Sequence, residues 1–239
     1  MGALVVVTGG SAGLGRALLA AAPAGADRLD VSRCGPDLDG VDHLAADLAD
    51  PSAWAEVGSE LGRRIAEHDA DRITVVLNAG TIEPIGFAGE VDADAYARGV
   101  LLNAAAPQVV GHHVLAALAR HPAPRRELVA ISSGAARKTY PGWSSYGAAK
   151  AGLDHWVRAV ADEQQRRGGV RVHAIAPGVV ATGMQSVIRD TPTDDFPPVE
   201  RFHQLYATGE LLDPDDVARR LWAALDDPDL PAVCDLRDR

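Results

Sequence analysis

The stretch Val5–Ala21, VVVTGGSAGLGRALLAA, passes from β-branched residues through closely spaced glycines into an Ala/Leu-rich segment. β-Branched residues favour extended backbone, and Ala and Leu favour helix. The reading is a buried strand ending at Val7, a turn holding Gly9, Gly13 and Gly15, and a helix from about residue 13. Glycines in such a turn let backbone N–H groups approach a diphosphate. The helix N-terminus adds partial positive charge. With a strand before and a helix after, the context suits nucleotide binding. The G-x-x-x-G-x-G spacing differs from the common G-x-G-x-x-G of dinucleotide-binding turns.

Outward from this turn, short apolar runs alternate with longer helical patterns. Strands are expected at 3–7, 27–31, 42–46, 73–77, 127–131, 170–175 and 232–236. Helices are expected near 13–22, 51–67, 94–120, 145–167 and 214–226. Several of the strands are apolar throughout, as strands covered on both faces are. In 145–167, Leu153, Trp156, Val157, Val160 and Ala161 form one apolar stripe, with Asp154, Arg158, Asp162 and Gln165 expected on the polar face. Gly168 and Gly169 stop that helix. The alternation predicts an α/β fold in one domain, a Rossmann-type doubly wound sheet of about seven parallel strands with helices on both faces. The one long irregular stretch, 178–213, reads as a substrate lid or a short helical insertion. Its residues Val187, Ile188, Phe196, Phe202, Leu205 and Tyr206 imply that it packs on something.

The chain has 239 residues, 47% apolar, and a net charge of −10 with no segment that concentrates Lys or Arg. A nucleic-acid or anionic-membrane surface is not expected from such a balance. Cys34 and Cys234 are far apart and lack metal-like spacing, which fits a reducing cytoplasm and no metal site. No apolar run approaches the length of a membrane span, and the N-terminus does not read as a secretory signal.

SSYGAAKAG (Ser144–Gly152) places Tyr146 four residues before Lys150, on one helix face. Alone, that pair also fits a surface helix. Read with TGGSAGLG (8–15), DL (47–48), LNAG (77–80), Asn103 in LLNAAAP, ISSGAA (131–136), YGAAK (146–150) and APGVVATGM (176–184), it carries a resemblance. The chain resembles the short-chain dehydrogenase/reductase family over essentially its whole length. The resemblance implies that the Tyr146 hydroxyl gives a proton to a substrate carbonyl oxygen or takes it from an alcohol. Lys150 beside it would stabilise the phenolate and lower its pKa. By the same resemblance Lys150 binds the nicotinamide ribose, and Ser133 holds the carbonyl oxygen. Ser132 is read as structural. Asn103 either holds a water linking Lys150 to solvent or only bends its helix. Cofactor contacts would come from Gly9, Ser11, Gly13, Leu14 and Gly15. Asp47 would meet the adenine amino group with Leu48 against the ring, unless Asp47 is a helix N-terminal acid. Asn78, Ala79 and Gly80 would line the adenine-ribose side, with Asn78 either a contact or a structural residue. Pro177, Gly178, Val180, Thr182 and Met184 would surround the nicotinamide, Thr182 bonding its carboxamide.

The second strand ends in DVSRCG. An acid at its tip selects NAD through the ribose 2′-OH, and an arginine pairs with a 2′-phosphate. Here Ser32 stands in the acid's place, Arg33 follows, and Asp30 lies back within the strand. The reading is NADP(H). One departure is Ala12, where NADP-using relatives often carry a basic residue.

YPGWSSYGAAKAGLD (140–154), APGVVATGMQSVIRD (176–190) and VCDLRDR (233–239) are similar to the sepiapterin reductase and bacterial benzil reductase branch of the family. Members reduce one carbonyl of vicinal dicarbonyl compounds with NADPH. Asp235 falls where sepiapterin reductases anchor the pterin guanidino group, or else it caps the last strand. Trp143 is either a core aromatic or a substrate wall. Gly178 and Met184 complete the expected substrate side with Ser133 and Tyr146. Residues 178–213 hold no Lys/Arg cluster, which favours a small, uncharged, aromatic α-dicarbonyl. The alternatives are an NAD(P)-dependent alcohol dehydrogenase or ketoreductase of a biosynthetic pathway, and a non-catalytic NADP-binding regulator. The resemblance also implies a homodimer or homotetramer through 94–120 and 145–167.

Overall fold

The computed structural model describes residues 2–238. Its strands are β1 (Ala3–Thr8), β2 (Ala26–Ser32), β3 (Val41–Ala45), β4 (Arg72–Leu77), β5 (Arg125–Ile131), β6 (Arg171–Ala176) and β7 (Val233–Asp235). They form one seven-stranded sheet in the order β3-β2-β1-β4-β5-β6-β7. Every neighbouring pair is parallel. The helices are α1 (Gly13–Ala20), α2 (Trp54–Glu67), α3 (Ala93–Val100), α4 (Ala106–Leu118), α5 (Ser144–Arg167), α6 (Gly183–Arg189), α7 (Val199–Ala207) and α8 (Pro214–Leu225). This is the single-domain doubly wound sheet that the alternation of apolar runs predicts.

Side-chain alternation along β1 divides the core. Leu4 and Val6 join the cluster under α2, α4 and α5 with Leu61, Val114 and Val157. Val5 and Val7 join the cluster under α1 and α8 with Leu18 and Leu221. A strand with both faces covered has no polar positions to spare. A third cluster lies beyond the sheet edge and holds Ile82, Trp143, Ile188, Phe196 and Phe202. It is the underside of 178–213, which proves to be a helical insertion carrying α6 and α7. A bridge from Val180 to Leu212 closes its base.

α3 and α4 run on as one helix through a π turn at Leu101–Ala105. Pro107 lacks the N–H that the carbonyl four residues earlier would accept, so the helix relaxes its ladder there. This helix also revises one expectation. By length and composition Ala93–Leu118 is apolar enough to cross a bilayer, and only 33% of its most apolar window is buried. Its inner side, with Val110, Val114 and Leu118, packs on the sheet. Val100 and Val109 are exposed.

Asp154 departs from its expected place on the solvent face of α5. It is buried and accepts a hydrogen bond from the Ser132 hydroxyl. The early turns of α5 pack on both β6 and the short turn Gly134–Ala136, so more than one side of the helix is covered.

At the other end of the sheet, Glu127 is fully buried and binds three guanidinium groups: Arg72 at 3.0 Å, Arg125 at 3.1 Å and Arg171 at 3.0 Å. It also accepts from the Thr74 hydroxyl at 2.8 Å. Removing one member of a buried ionic network leaves the others unpaired. Glu127→Ala should therefore cost about 3–5 kcal/mol of stability by urea titration. Loss of the exposed Glu67 carboxylate should cost under about 1 kcal/mol. Equal effects would show that the network is not a keystone of the sheet.

Candidate active site

The strand order reverses where β1 lies between β2 and β4, and the crevice there opens above the C-terminal ends of the strands. Side chains splice the two diverging strand ends. The Thr8 hydroxyl accepts from the N–H groups of Asn78 and Ala79, both at 3.0 Å. The Asn78 amide donates to the carbonyls of Thr8 at 3.0 Å and Gly9 at 3.1 Å. Asn78 is thereby a structural residue that also lines the cleft.

The glycine turn has no room for side chains. Gly9 sits at φ +70°, and a Cβ on it would lie 2.9 Å from Ala79 Cα. A Cβ on Gly15 would lie 2.2 Å from the Gly9 carbonyl oxygen. The buried Asp30 carboxylate braces the turn from beneath. It accepts from Gly10 N–H at 2.7 Å and from the Ser32 hydroxyl at 2.5 Å, and pairs with His43 at 2.9 Å. Asp30 is committed inward, while Arg33 stands exposed at the tip of β2. Arg16 reaches the Asp37 carbonyl at 3.2 Å, away from the cleft lining.

A cleft of about 1030 Å³ runs over this edge. It is lined by the residues expected to hold a cofactor: Gly9, Ser11, Gly13, Leu14, Gly15, Ser32, Arg33, Asp47, Leu48, Asn78, Ala79, Gly80, Pro177, Gly178, Val180, Thr182 and Met184. Asp47 does not cap a helix. Its carboxylate accepts from Ala49 N–H at 3.0 Å and pairs with Arg98 at 2.9 Å. The acid that caps the following 3-10 turn is Asp50. A chain of net charge −10 lines this cleft with seven basic residues against four carboxylates. The size, the glycine cradle at the start of α1 and the positive lining together fit an anionic dinucleotide.

At the deeper end, Ser133, Tyr146 and Lys150 line the cleft together. Ser133 lies two residues past β5 and accepts from Ala135 N–H at 3.2 Å. Tyr146 and Lys150 project from the first two turns of α5. The Lys150 ammonium is buried, donates to the Ile131 carbonyl at 2.8 Å and lies 5.7 Å from the Tyr146 ring centre. Burial depresses its pKa from an ordinary 10.5 to about 8, opposed by the carboxylate of Asp154 one turn on. Desolvation also raises the Tyr146 phenol above its usual value, and the neighbouring Ser133 hydroxyl pulls it back only in part. The lowering expected from Lys150 does not show in this direction, which burial sets.

Asn103 does not line the cleft. Its amide clamps the Thr81 backbone, accepting from the N–H at 2.9 Å and donating to the carbonyl at 2.8 Å. A Cβ on Gly80 would lie 2.9 Å from Asn103 Oδ1 and 3.8 Å from Lys150 Nζ. Gly80 therefore packs close against Asn103, where a side chain would not fit. Trp143 unites its two expected roles. Its ring stacks on Phe196 at 4.6 Å and meets Tyr146 edge-on at 5.8 Å, yet it also lines the cleft. Asp235 reaches the cleft from the end of β7, bound to Arg137 and Arg237. Arg98, Arg137, Arg201 and Arg237 were given no role by the sequence, Arg237 being quoted only as part of VCDLRDR. The absence of a basic cluster in 178–213 did not carry over to the folded cleft, because its cations come from separate segments.

The family described as short chain dehydrogenase matches residues 3–193. A Bacillus subtilis protein named benzil reductase ((S)-benzoin forming) is 36% identical over 230 residues, 93% of this chain and 93% of that protein. Rat sepiapterin reductase is 30% identical over 184 residues, 76% of this chain and 68% of that protein. Among solved structures, the KRED1-Pglu enzyme superposes with a TM-score of 0.82 at 28% identity, over 97% of this chain and 99% of that one.

The Lys150 environment generates a pH signature. Its folded pKa of about 8 lies below the ordinary 10.5, so between those values the unfolded chain binds the extra proton. The cofactor-free protein should gain stability from this group as pH rises through that window. Lys150→Met should remove the gain. Urea midpoints of both proteins at pH 8 and pH 10 test this, and parallel shifts would contradict it.

Proposed function

The chain belongs to the short-chain dehydrogenase family, and from that premise we propose that it is an NADPH-dependent carbonyl reductase acting on a small aromatic α-dicarbonyl or related ketone. The observation that carries the reading is that Ser133, Tyr146 and Lys150, the last two one helical turn apart, line the same cleft as the glycine cradle.

A bound nicotinamide cofactor supplies the reducing equivalents, and the chain's own residues handle binding, orientation and the proton. The Gly9–Gly15 turn and the start of α1 would hold the diphosphate, and Pro177–Met184 the nicotinamide side. Ser133 holds the substrate carbonyl oxygen and shares its developing charge. Tyr146, with its phenol raised by burial, stays protonated at neutral pH and gives its proton to that oxygen. The charge of Lys150 stabilises the resulting phenolate. A water near Asn103 would return the proton. A regulator without turnover would have no use for this arrangement.

NADPH is favoured over NADH because Asp30 has its carboxylate spent on Gly10, Ser32 and His43. That leaves Ser32 and the exposed Arg33 at the ribose, where a guanidinium suits a 2′-phosphate. The α-dicarbonyl reading draws on the benzil reductase relative and on the flat walls offered by Tyr140, Trp143 and Phe202. The proposal includes a homodimer or homotetramer joined through the exposed faces of α4 and α5, and a cytoplasmic location.

Tyr146→Phe should lower kcat by about 10²–10⁴ while NADPH binding, followed by fluorescence, persists. Ordinary turnover in that variant would place the proton donor elsewhere. Arg33→Ala should weaken NADPH by roughly 10- to 150-fold, the value of a charge-assisted phosphate contact, with little change for NADH. Equal losses for both cofactors would refute the 2′-phosphate assignment.

A further inference from the structure

Asp235 is buried at the cleft wall, and its carboxylate has no acceptor site left. Oδ1 accepts from the Arg237 backbone N–H at 3.0 Å and from Arg237 Nε at 2.9 Å. Oδ2 accepts from Arg137 Nη2 at 2.9 Å and from Arg237 Nη2 at 2.6 Å. A carboxylate offers about four lone-pair sites, so a ligand with a donor edge finds nothing free here. The groups offered to the cleft are the two guanidinium ions, each about half exposed, at 47% for Arg137 and 48% for Arg237.

Their position matters. A Cβ on Gly134, next to Ser133, would lie 3.5 Å from Arg237 Nη2, and one on Gly178 would lie 3.4 Å from Arg237 Cδ. Arg237 thus lies across the wall beside the carbonyl-holding serine. Arg201 donates to the Tyr140 hydroxyl at 2.8 Å and has no carboxylate partner among the described residues. Lys138 lies over the Tyr140 ring at 5.3 Å. The acids that share the cleft outside the Asp47–Arg98 pair are Asp235, Asp238 and Glu83. With Lys150 and Arg33 also in the cleft, six cations face three carboxylates, an excess that suits an anionic ligand.

We propose that Arg137 and Arg237 form an anion subsite that selects ketones carrying a carboxylate beyond the reacting carbonyl, aryl 2-oxo acids being the simplest class, with Asp235 as their internal counter-ion. This rests on the carbonyl reductase reading above and sharpens it. The reacting ketone carbon is reduced as before, and the carboxylate is only held. The same geometry argues against Asp235 as an anchor for a guanidine-like edge.

The test compares phenylglyoxylate with its neutral methyl ester. In NADPH oxidation assays on the full chain, the acid should show a KM at least about tenfold below that of the ester, as expected for a charge-assisted contact. Arg237→Gln and Arg137→Gln should each collapse that ratio toward one. Calorimetry of phenylglyoxylate on the NADP⁺-loaded protein gives a readout independent of turnover, and Arg237→Gln should abolish the heat. Circular dichroism and NADPH binding check that the variants fold. An ester that binds and reacts as well as the acid, or a ratio unmoved by both substitutions, would overturn the subsite and leave the reductase reading standing. Binding of the acid that depends on Arg237, without turnover of acid, ester or benzil, would support the subsite and sink the reductase reading. No binding of the acid would overturn the subsite.

Discussion

Where β1 and β4 part, their last peptide groups lose strand partners at a buried point. Orphaned backbone groups there would each cost on the order of 1–3 kcal/mol. Thr8 and Asn78 supply the missing partners, bonding across the split to each other's backbone. The glycine turn depends on that splice. Only with β4 held this close does Gly9 need its positive φ, and only then does Gly15 need to lack a side chain. Asp30 completes the frame by pinning Gly10 from the neighbouring strand. The cleft is the space this frame holds open.

Electrostatics in the cleft follow from burial more than from net charge. The protein is acidic overall, yet its carboxylates at the cleft are mostly consumed by internal pairs, Asp47 with Arg98 and Asp235 with Arg137 and Arg237. Lys150 and Tyr146 are both desolvated, which moves the ammonium down and the phenol up. The two shifts carry the ammonium below the phenol in pKa, so a proton passes readily from Lys150 toward a Tyr146 phenolate.

The insertion between β6 and α8 joins fold to specificity. α6 and α7 are short and would not persist alone in water. Their stability comes from Phe196 and Phe202, which pack on Trp143 and Tyr140 next to Tyr146. The substrate wall and the support of the acid-bearing helix are therefore one aromatic cluster. A change of wall residue will disturb the position of Tyr146 unless ring volume is kept.

Much of this was legible in the sequence. All the strands were placed from the sequence, and the central ones read as apolar runs, because a strand covered on both faces leaves a continuous apolar signature that needs no partner to be seen. The glycine spacing and the Tyr146–Lys150 interval were readable because they are local geometry: a turn radius and one helical turn. The π turn at Leu101–Ala105, the burial of Asp154 and which of the two readings of 178–213 holds were not. Each depends on a neighbour brought up from elsewhere, and periodicity does not record what covers a face. The same holds for charge. Sequence showed that Asp30 and Asp235 were acids near the cofactor and substrate ends. Only the tertiary structure decided that Asp30 is buried and turned inward and that Asp235 has all its lone pairs taken, since Gly10, His43, Arg137 and Arg237 had first to be folded against them. Conformation is largely a property of neighbours along the chain, whereas hydrogen-bond saturation is a property of neighbours in space.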